Sequence, residues 1–600
     1  MKIVKNNLYM LSMLWKAAPV RVLLEIIIFT LNRMESIVFS VFLMRMIMKA
    51  IENSLTMAQV FPVIFILLIY EIIVAAYGGW FFNVYMPKSD VVIQEYFLSK
   101  VYEKAVECDL ECYENPDFYN KYTRANSELL MRGGMVLENI ANAVSSITGM
   151  VICTVIIMHW EPIVVPIVIF CGICAMLIDK KRSAKGYDAQ KKATPDNRAF
   201  DYVKRTLYLS DYAKEMRIGN MYFPLMTYFE NSLKSMLKIF HKEYSIIGLL
   251  RCVREIFMSL GTFLGVQGII LYRYITYHAY NLSDFVTIIN AANTLIGRIY
   301  SFTWVTSEFM DNGLYAENIR EFLEYKPKIK EDENGLDIKN RQNSLTLKNV
   351  SFRYSEQKAD VLKNINIDIP HGSKIAFVGH NGAGKSTLVK LLMRLYDVSD
   401  GEILLDGENI KKYKLSKYRK IFSTVFQDFK IFAASITENI LLHPAENEND
   451  ENTALQAAKD SGLYRKVSGM KNGMDTLLTK EFDDNGVLMS GGEFQKIAVS
   501  RVFADKSSTI AILDEPSSAL DPISEYEIFE NMMKACGDKT IIFISHRMST
   551  AVLADRIYML ENGSVIEEGS HKELMERNGK YAEMFRMQSE KYQGGEEEDE

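Results

Sequence analysis

Six hundred residues allow several domains, and 48 % hydrophobic content excludes a disordered chain. A net charge of −6 argues against a nucleic-acid partner. The cysteines, Cys108, Cys112, Cys153, Cys171, Cys174, Cys252 and Cys536, form no metal-ligand pattern and are expected as reduced thiols.

Lys2 and Lys5 precede an amphipathic stretch from Leu8 to Trp15 that lacks the small-residue site of a cleavable signal peptide. Tyr9 and Trp15 suit the headgroup level, so an interfacial elbow helix is expected. Long apolar runs then fill the first half. Spans are expected near 20–48, 59–86, 134–158, 162–178, 246–272 and 284–307, six by the length needed to cross a bilayer. Lysine- and arginine-rich stretches of helix-forming composition occupy 87–132 and 179–245, while the turns after spans one, three and five are short and, Arg273 apart, poor in cations. The positive-inside rule puts the long stretches and both termini in the cytoplasm.

Polar residues inside spans either line a cavity or bond neighbouring helices. Glu25, Asn32 and Ser36 recur at helical spacing in the first span, beside Arg33 and Glu35, and Glu71, Arg251, Arg254 and Glu255 add charge to the second and fifth. For these both readings stay open. In the sixth, Asn290, Asn293, Gly297, Tyr300, Trp304 and Glu308 fall on one narrow stripe, read as part of a translocation cavity. The composition suggests a membrane domain over 1–310, a linker over 311–343, an α/β domain over 344–590 and an acidic tail over 591–600.

The second half carries its chemistry in short motifs. The strand-like run Lys374-Ile375-Ala376-Phe377-Val378 leads into Gly379-His380-Asn381-Gly382-Ala383-Gly384-Lys385-Ser386, and Thr387 to Leu392 continues as a helix. Strand, glycine-rich turn and helix N-terminus are what a phosphate-binding loop requires. Lys385 then reaches the β- and γ-phosphates, and the Ser386 hydroxyl binds Mg²⁺. Downstream, apolar Ile510-Ala511-Ile512-Leu513 ends in Asp514-Glu515, a buried strand presenting two carboxylates at its C-terminal edge. Asp514 suits Mg²⁺ coordination, and Glu515 is placed to position or deprotonate the attacking water.

Between them, Met489-Ser490-Gly491-Gly492-Glu493 opens a helical run and resembles the signature motif of ABC-type ATPases. A serine, two glycines and a helix N-terminus make a second anion site. In that family the signature faces the nucleotide of the other subunit. Met489 and Glu493 depart from the commonest LSGGQ spelling. The resemblance further implies that Tyr354 stacks on adenine and that Gln427 senses Mg²⁺ and the γ-phosphate. It makes Ser518-Ala519-Leu520-Asp521 the loop communicating across the dimer and His546 the switch histidine. Asp484 stands where exporters tend to carry a glutamate touching the membrane domain.

With the apolar half included, the chain resembles an ABC exporter half-transporter. That implies a six-helix membrane domain fused to an ABC nucleotide-binding domain, ATP and Mg²⁺ as cofactors, and assembly as a homodimer or with a related chain. Glu114-Asn115-Pro116-Asp117-Phe118-Tyr119 and Ala213-Lys214-Glu215-Met216-Arg217 are the candidate coupling helices, similar to sequence in bacterial peptide exporters. A peptide ranks first as cargo, then a lipid or lipid-linked glycan, then amphipathic drugs. With about twenty residues before the first span, export without cleavage of the cargo is expected. Two rivals remain: a soluble ABC ATPase, disfavoured by the apolar runs, and an ATP-gated channel or receptor.

Overall fold

The computed structural model describes residues 2–209, 212–338, 342–354, 359–515, 529–530, 532–533, 537–545 and 548–593. The chain divides into a helical unit, Met1–Cys108 with Cys112–Lys326, and a second unit, Asp109–Glu111 with Pro327–Glu600.

The helical unit opens with α1 (Lys2–Ala17), which buries Met10, Met13 and Leu14 and leaves Trp15 exposed. Asn6 and Asn7 donate to the carbonyls of Gly313 and Phe309, each at 2.8 Å, so this helix is fastened by buried hydrogen bonds as well as by its apolar face. Long helices follow: α2 (Pro19–Glu52) and α3 (Met57–Glu107). After the short α4 (Leu110–Glu114) come α5 (Pro116–Trp160) and α6 (Val164–Tyr208). The short α7 (Ala213–Ile218) precedes α8 (Tyr222–Tyr277) and α9 (Leu282–Leu323). A capping box starts α3, where Thr56 N donates to Gln59 Oε1 at 3.0 Å. Three of the long helices contain π-helical segments, Val38–Leu43 in α2, Phe81–Tyr85 in α3 and Gly261–Gln267 in α8.

Among the described residues, four stretches are long and apolar enough to cross a membrane: Pro19–Glu52, Met57–Glu107, Met131–Trp160 and Tyr222–Tyr277. The fourth and sixth expected spans are helical; the fourth is a short apolar run and the sixth is more polar. The apolar run of α6 stops at Asp179-Lys180-Lys181-Arg182, and α9 carries Asp284, Asn290, Asn293 and Arg298. Their apolar positions face each other in the bundle, with Val164, Val168, Cys171 and Ala175 in one buried cluster with Ile288, Ala291, Ala292 and Leu295. α9, whose described side chains are mostly buried or half-buried, needs no continuous apolar surface.

The expected linker is corrected in its first part. Residues 311–323 continue α9, because Ala316, Ile319 and Phe322 recur at helical spacing and are buried against Phe97, Leu129 and Leu137. The break between the units falls after Lys326 instead. The first coupling candidate is displaced too: the short helix ends at Glu114, and Pro116 already starts α5, with Asn115 Oδ1 accepting from Phe118 N at 3.0 Å. Proline at a first helical position explains that start. The second candidate coincides with α7.

The second unit holds two sheets. Strands β1 (Leu345–Phe352), β2 (Leu362–Ile369), β4 (Asp400–Leu405) and β5 (Glu408–Asn409) form an antiparallel sheet in the order β2-β1-β4-β5. The other sheet contains β3 (Lys374–Val378), β6 (Phe422–Val425), β7 (Ile510–Asp514), β8 (Thr540–Ile544), β9 (Arg556–Glu561) and β10 (Ser564–Gly569). Its order is β10-β9-β3-β8-β7-β6, with β3, β6, β7, β8 and β9 in parallel pairings and β10 antiparallel at the edge. Strands β7 and β8 are buried along their whole length, which is why they read as unbroken apolar runs. In such a sheet the ligand crevice lies beyond the carboxyl ends of the strands. The helix Lys580–Gln593 extends into the expected tail, whose acidic end lies outside the described residues.

Candidate nucleotide site

At the carboxyl end of β3 the chain turns through Gly379 to Gly384 into α10 (Lys385–Leu392). Gly379 has φ +143° and Gly384 φ +99°; a Cβ would stand 2.2 Å from the Leu560 carbonyl at the first and 2.6 Å from Leu362 Cδ2 at the second. Both conformation and space therefore demand glycine. Lys385, only 5 % exposed, donates through Nζ to the carbonyls of Gly379 at 2.8 Å and His380 at 3.0 Å. Burial lowers its pKa, while the carboxylates of Glu515 and Asp514 pull the other way.

Strand β7 delivers Asp514 to the foot of α10, where Ser386 Oγ donates to Asp514 Oδ1 at 3.3 Å. Burial raises the Asp514 pKa, opposed by the Ser386 bond and reinforced by Glu515. A buried carboxylate beside a hydroxyl and a second carboxylate is a hard-oxygen set whose ionised form a divalent cation would stabilise, so these residues fit Mg²⁺. Glu515 itself has φ +49°, a left-handed backbone that a glutamate adopts at a cost of about 1–3 kcal/mol. Its Oε2 accepts from Gln427 Nε2 at 2.8 Å.

Tyr354, Asn381, Gly382, Gly384, Lys385, Ser386, Thr387, Gln427 and Glu515 line one cleft of about 750 Å3. Tyr354 Oη lies 3.2 Å from Thr387 Oγ1, and its ring meets Phe352 and Tyr396 edge-on at 4.8 and 5.3 Å. Sequence reasoning missed Asp360, Val361, Lys363, Asn562 and Gly563, which complete the wall. Asn562 (φ +52°) and Gly563 (φ +83°) form the two-residue turn between β9 and β10, and the Gly563 carbonyl accepts from Lys363 N at 2.8 Å. An Asn-Gly pair between strands is a readable hairpin signal, although nothing in it announces a binding site.

The signature opens α11 (Gly491–Ala504) with Ser490 as its N-cap. Ser490 N donates to Glu493 Oε2 at 2.9 Å, and Glu493 N donates to Ser490 Oγ at 3.3 Å. Glutamate and glutamine both complete this capping box, so the departure from the common spelling is conformationally neutral. It is not electrically neutral: the Ser490 N–H holds the Glu493 carboxyl below its usual range, and Lys466 lies 3.3 Å away. Ser490, Gly491, Gly492 and Glu493 are not among the residues lining the cleft of their own chain. His546 and Ser518 to Asp521 lie outside the described residues, and Asp484 is exposed.

In the helical unit, Glu25 forms a buried pair with Arg21 at 2.9 Å, and the Arg21 guanidinium stacks over Phe81 at 4.7 Å. Glu25 is therefore a packing element rather than a cavity wall. Of the sixth-span stripe, Asn293, Gly297 and Trp304 are exposed in the protomer, while Tyr300 donates to Glu255 at 3.2 Å beneath the Arg254 guanidinium. Arg298, a buried cation of the same helix, escaped sequence reasoning. Among the described residues, Cys153, Cys171, Cys174 and Cys252 are free thiols.

The ABC transporter family model matches residues 362–518. A subtilin transport ATP-binding protein of Bacillus subtilis is 29 % identical over 493 residues, covering 81 % of this chain and 78 % of its own length. An ATP-dependent lipid A-core flippase of Chromohalobacter salexigens is 35 % identical over 306 residues, 51 % of each chain, so this chain spans about half the length of that relative. Among solved structures, a bacterial Atm1-family ABC exporter with ATP bound matches 96 % of this chain and 99 % of its own, with a TM-score of 0.78 at 21 % identity.

Proposed function

We propose that this chain is an ABC exporter, a membrane-embedded helical domain fused to an ABC ATPase domain, and that its own residues drive export as follows. Two chains pair so that Ser490, Gly491 and Gly492 of one close over the ATP held by Tyr354, the 379–387 loop and Lys385 of the other. In each composite site Lys385 exchanges its loop carbonyls for β- and γ-phosphate oxygens, at little electrostatic cost because its ammonium is already dry. Ser386, Asp514 and Gln427 would hold Mg²⁺, which neutralises charge on the phosphates. Glu515 orients the water, and His546 is assigned to the γ-phosphate by resemblance alone.

The single observation that carries this reading is the Gln427–Glu515 contact at 2.8 Å in the cleft that also holds Lys385 and Ser386. A carboxylate fixed by a strained backbone and a side-chain amide is preorganised to aim one water. Glu515→Gln keeps the amide contact and the phosphate loop but removes the base. Purified in nanodiscs, that variant should bind ATP, turn over about 10²–10⁴-fold more slowly and accumulate as a closed dimer. Hydrolysis at the wild-type rate would overturn the assignment.

For cargo we rank a peptide first. Similarity to the subtilin transporter extends over 493 residues and so reaches into the helical half, whereas the flippase match covers 306. That supports a cargo of the subtilin kind over a lipid. ATPase stimulation in nanodiscs by a peptide panel and a lipid panel separates the two: stimulation by lipids alone would end the peptide assignment and leave the exporter intact.

A further inference from the structure

Four arginines of the helical unit meet carboxylates. Arg21 meets Glu25 at 2.9 Å, Arg45 meets Asp284 at 3.0 Å, Arg254 meets Asp179 at 3.3 Å and Arg273 meets Glu161 at 2.8 Å. Arg33 and Arg298, among the described residues, have no carboxylate within 4.0 Å. Their partners are neutral. Arg33 Nη2 donates to Asn142 Oδ1 at 3.2 Å, and Arg298 Nη2 donates to the Arg33 carbonyl at 3.0 Å and to the Ser36 hydroxyl.

Arg298 is 6 % exposed, and its Nε has no hydrogen-bond partner. Ser146, one turn beyond Asn142 on α5, is fully buried with an unpartnered hydroxyl. Gly149 continues the same helical face, and a Cβ there would come within 3.2 Å of Arg298 Cδ and Nε. Glycine at 149 thus makes room for the guanidinium. Two cations and two buried donors without an acceptor converge inside a bundle where an uncompensated charge is costly. The cluster is not sealed, because Ser36, Asn293 and Gly297 beside it are exposed.

We infer that Arg33 and Arg298, with Asn142 and Ser146, form an anion site that receives the carboxylate or phosphate of an amphipathic molecule. The binding requires no ATP; only its meaning, as a cargo-recognition point, rests on the export reading above. A planar guanidinium suits both oxyanions because it offers paired donors. Two sources carry this chemistry, the acidic group of a cargo and the phosphate of a membrane lipid.

The test measures thermal unfolding of the full chain in phosphatidylcholine nanodiscs with decyl phosphate, decanoate or decylammonium. The anionic probes should raise Tm by several degrees at saturation and decylammonium should not, since a ligand of the native state stabilises by mass action. Arg298→Gln and Arg33→Gln should lose the shift, Arg298→Lys should keep part of it, and the exposed Arg251→Gln should keep it all. If the glutamine variants fail to fold, Ser146→Ala removes one donor and should weaken the probe's half-saturation about threefold to tenfold. Repeating the series with phosphatidylglycerol identifies the source: a lipid ligand raises the baseline Tm and abolishes the probe response, whereas a cargo site still responds. Equal stabilisation by decylammonium, or an undiminished anionic shift in Arg298→Gln, would overturn the inference. Neither result bears on Glu515, so failure of this site and failure of the ATPase reading remain distinct.

Discussion

The two halves of this molecule encode their sites in opposite ways. In the ATPase half the groups proposed to meet phosphate are contiguous: Gly379 to Ser386 supplies loop, cation and hydroxyl, and Asp514 and Glu515 are adjacent. Phosphoryl transfer demands fixed geometry, and a strand, a glycine turn and a helix N-terminus provide it locally. In the helical half the polar groups arrive one per turn from different helices. Arg33 comes from α2, Asn142 and Ser146 from α5, and Arg298 from α9. Universal chemistry is written as motifs, whereas selective chemistry is written across a packing pattern.

The sharpest way to break this comparison is to test whether the motif half is self-sufficient. Lys385→Ala and Ser490→Arg should each reduce ATPase by about 10²-fold alone, because each spoils both composite sites. Mixed in equal amounts, random pairing should restore about a quarter of wild-type turnover if the two sites fire independently. Hydrolysis by a strict monomer would show that the signature is not shared.

The helical half can be probed through its buried ion pair. Arg21 and Glu25 are 4 % and 5 % exposed as side chains. Arg21→Met leaves an uncompensated carboxylate and should destabilise by about 3–5 kcal/mol, while adding Glu25→Leu should recover most of that. Thermal unfolding of both variants decides it. A single mutant as stable as the double would return Glu25 to the list of cavity candidates.

How much of each half was legible follows from the same contrast. The strand, turn and helix from Lys374 to Leu392 and the buried strand Ile510–Asp514 stand where the sequence put them, since glycine spacing and unbroken apolar runs are local signals. Asp360, Lys363 and Asn562 were invisible because they reach the cleft through sheet pairing. Arg298 leaves no signal in the sequence, since a lone cation between Gly297 and Ile299 breaks no periodicity. The run from 311 to 323 read as linker because its polar majority hid the buried spacing of Ala316, Ile319 and Phe322.

A subtler adjustment lies at Glu493. Its carboxylate places one negative charge in the first turn of the helix proposed to meet the γ-phosphate of the opposing chain. Glu493→Gln preserves the cap and should lower the ATP concentration for half-maximal turnover about threefold at low ionic strength. Added salt should close the gap between the variants, because screening removes the repulsion. A gap insensitive to salt would make the residue a cap and nothing more.

The smallest expected effect is at Asp311, just beyond the sixth span. Burial, reinforced by Glu308, pushes its pKa up to about 6. A carboxyl whose folded pKa is raised contributes stability below its unfolded pKa, and that contribution is lost as pH rises through the folded value. Asp311→Asn should therefore raise Tm by about 1–2 °C at pH 8 and leave it unchanged or lower at pH 4. Equal shifts at both pH values would mean the carboxyl titrates normally.

The π-helical segments of α2, α3 and α8 have a mechanical consequence. Each holds one residue more than the same length of α-helix would, a loop of slack stored inside an otherwise stiff rod. Rewinding such a segment into α geometry turns everything beyond it by about 100° and pushes it out by about 1.5 Å, with no change at the other end. Side chains on one side of the segment can thus be swung from a neighbour toward open space while the helix stays continuous. A rod with that property works as a ratchet as well as a strut, and three of the long helices carry one.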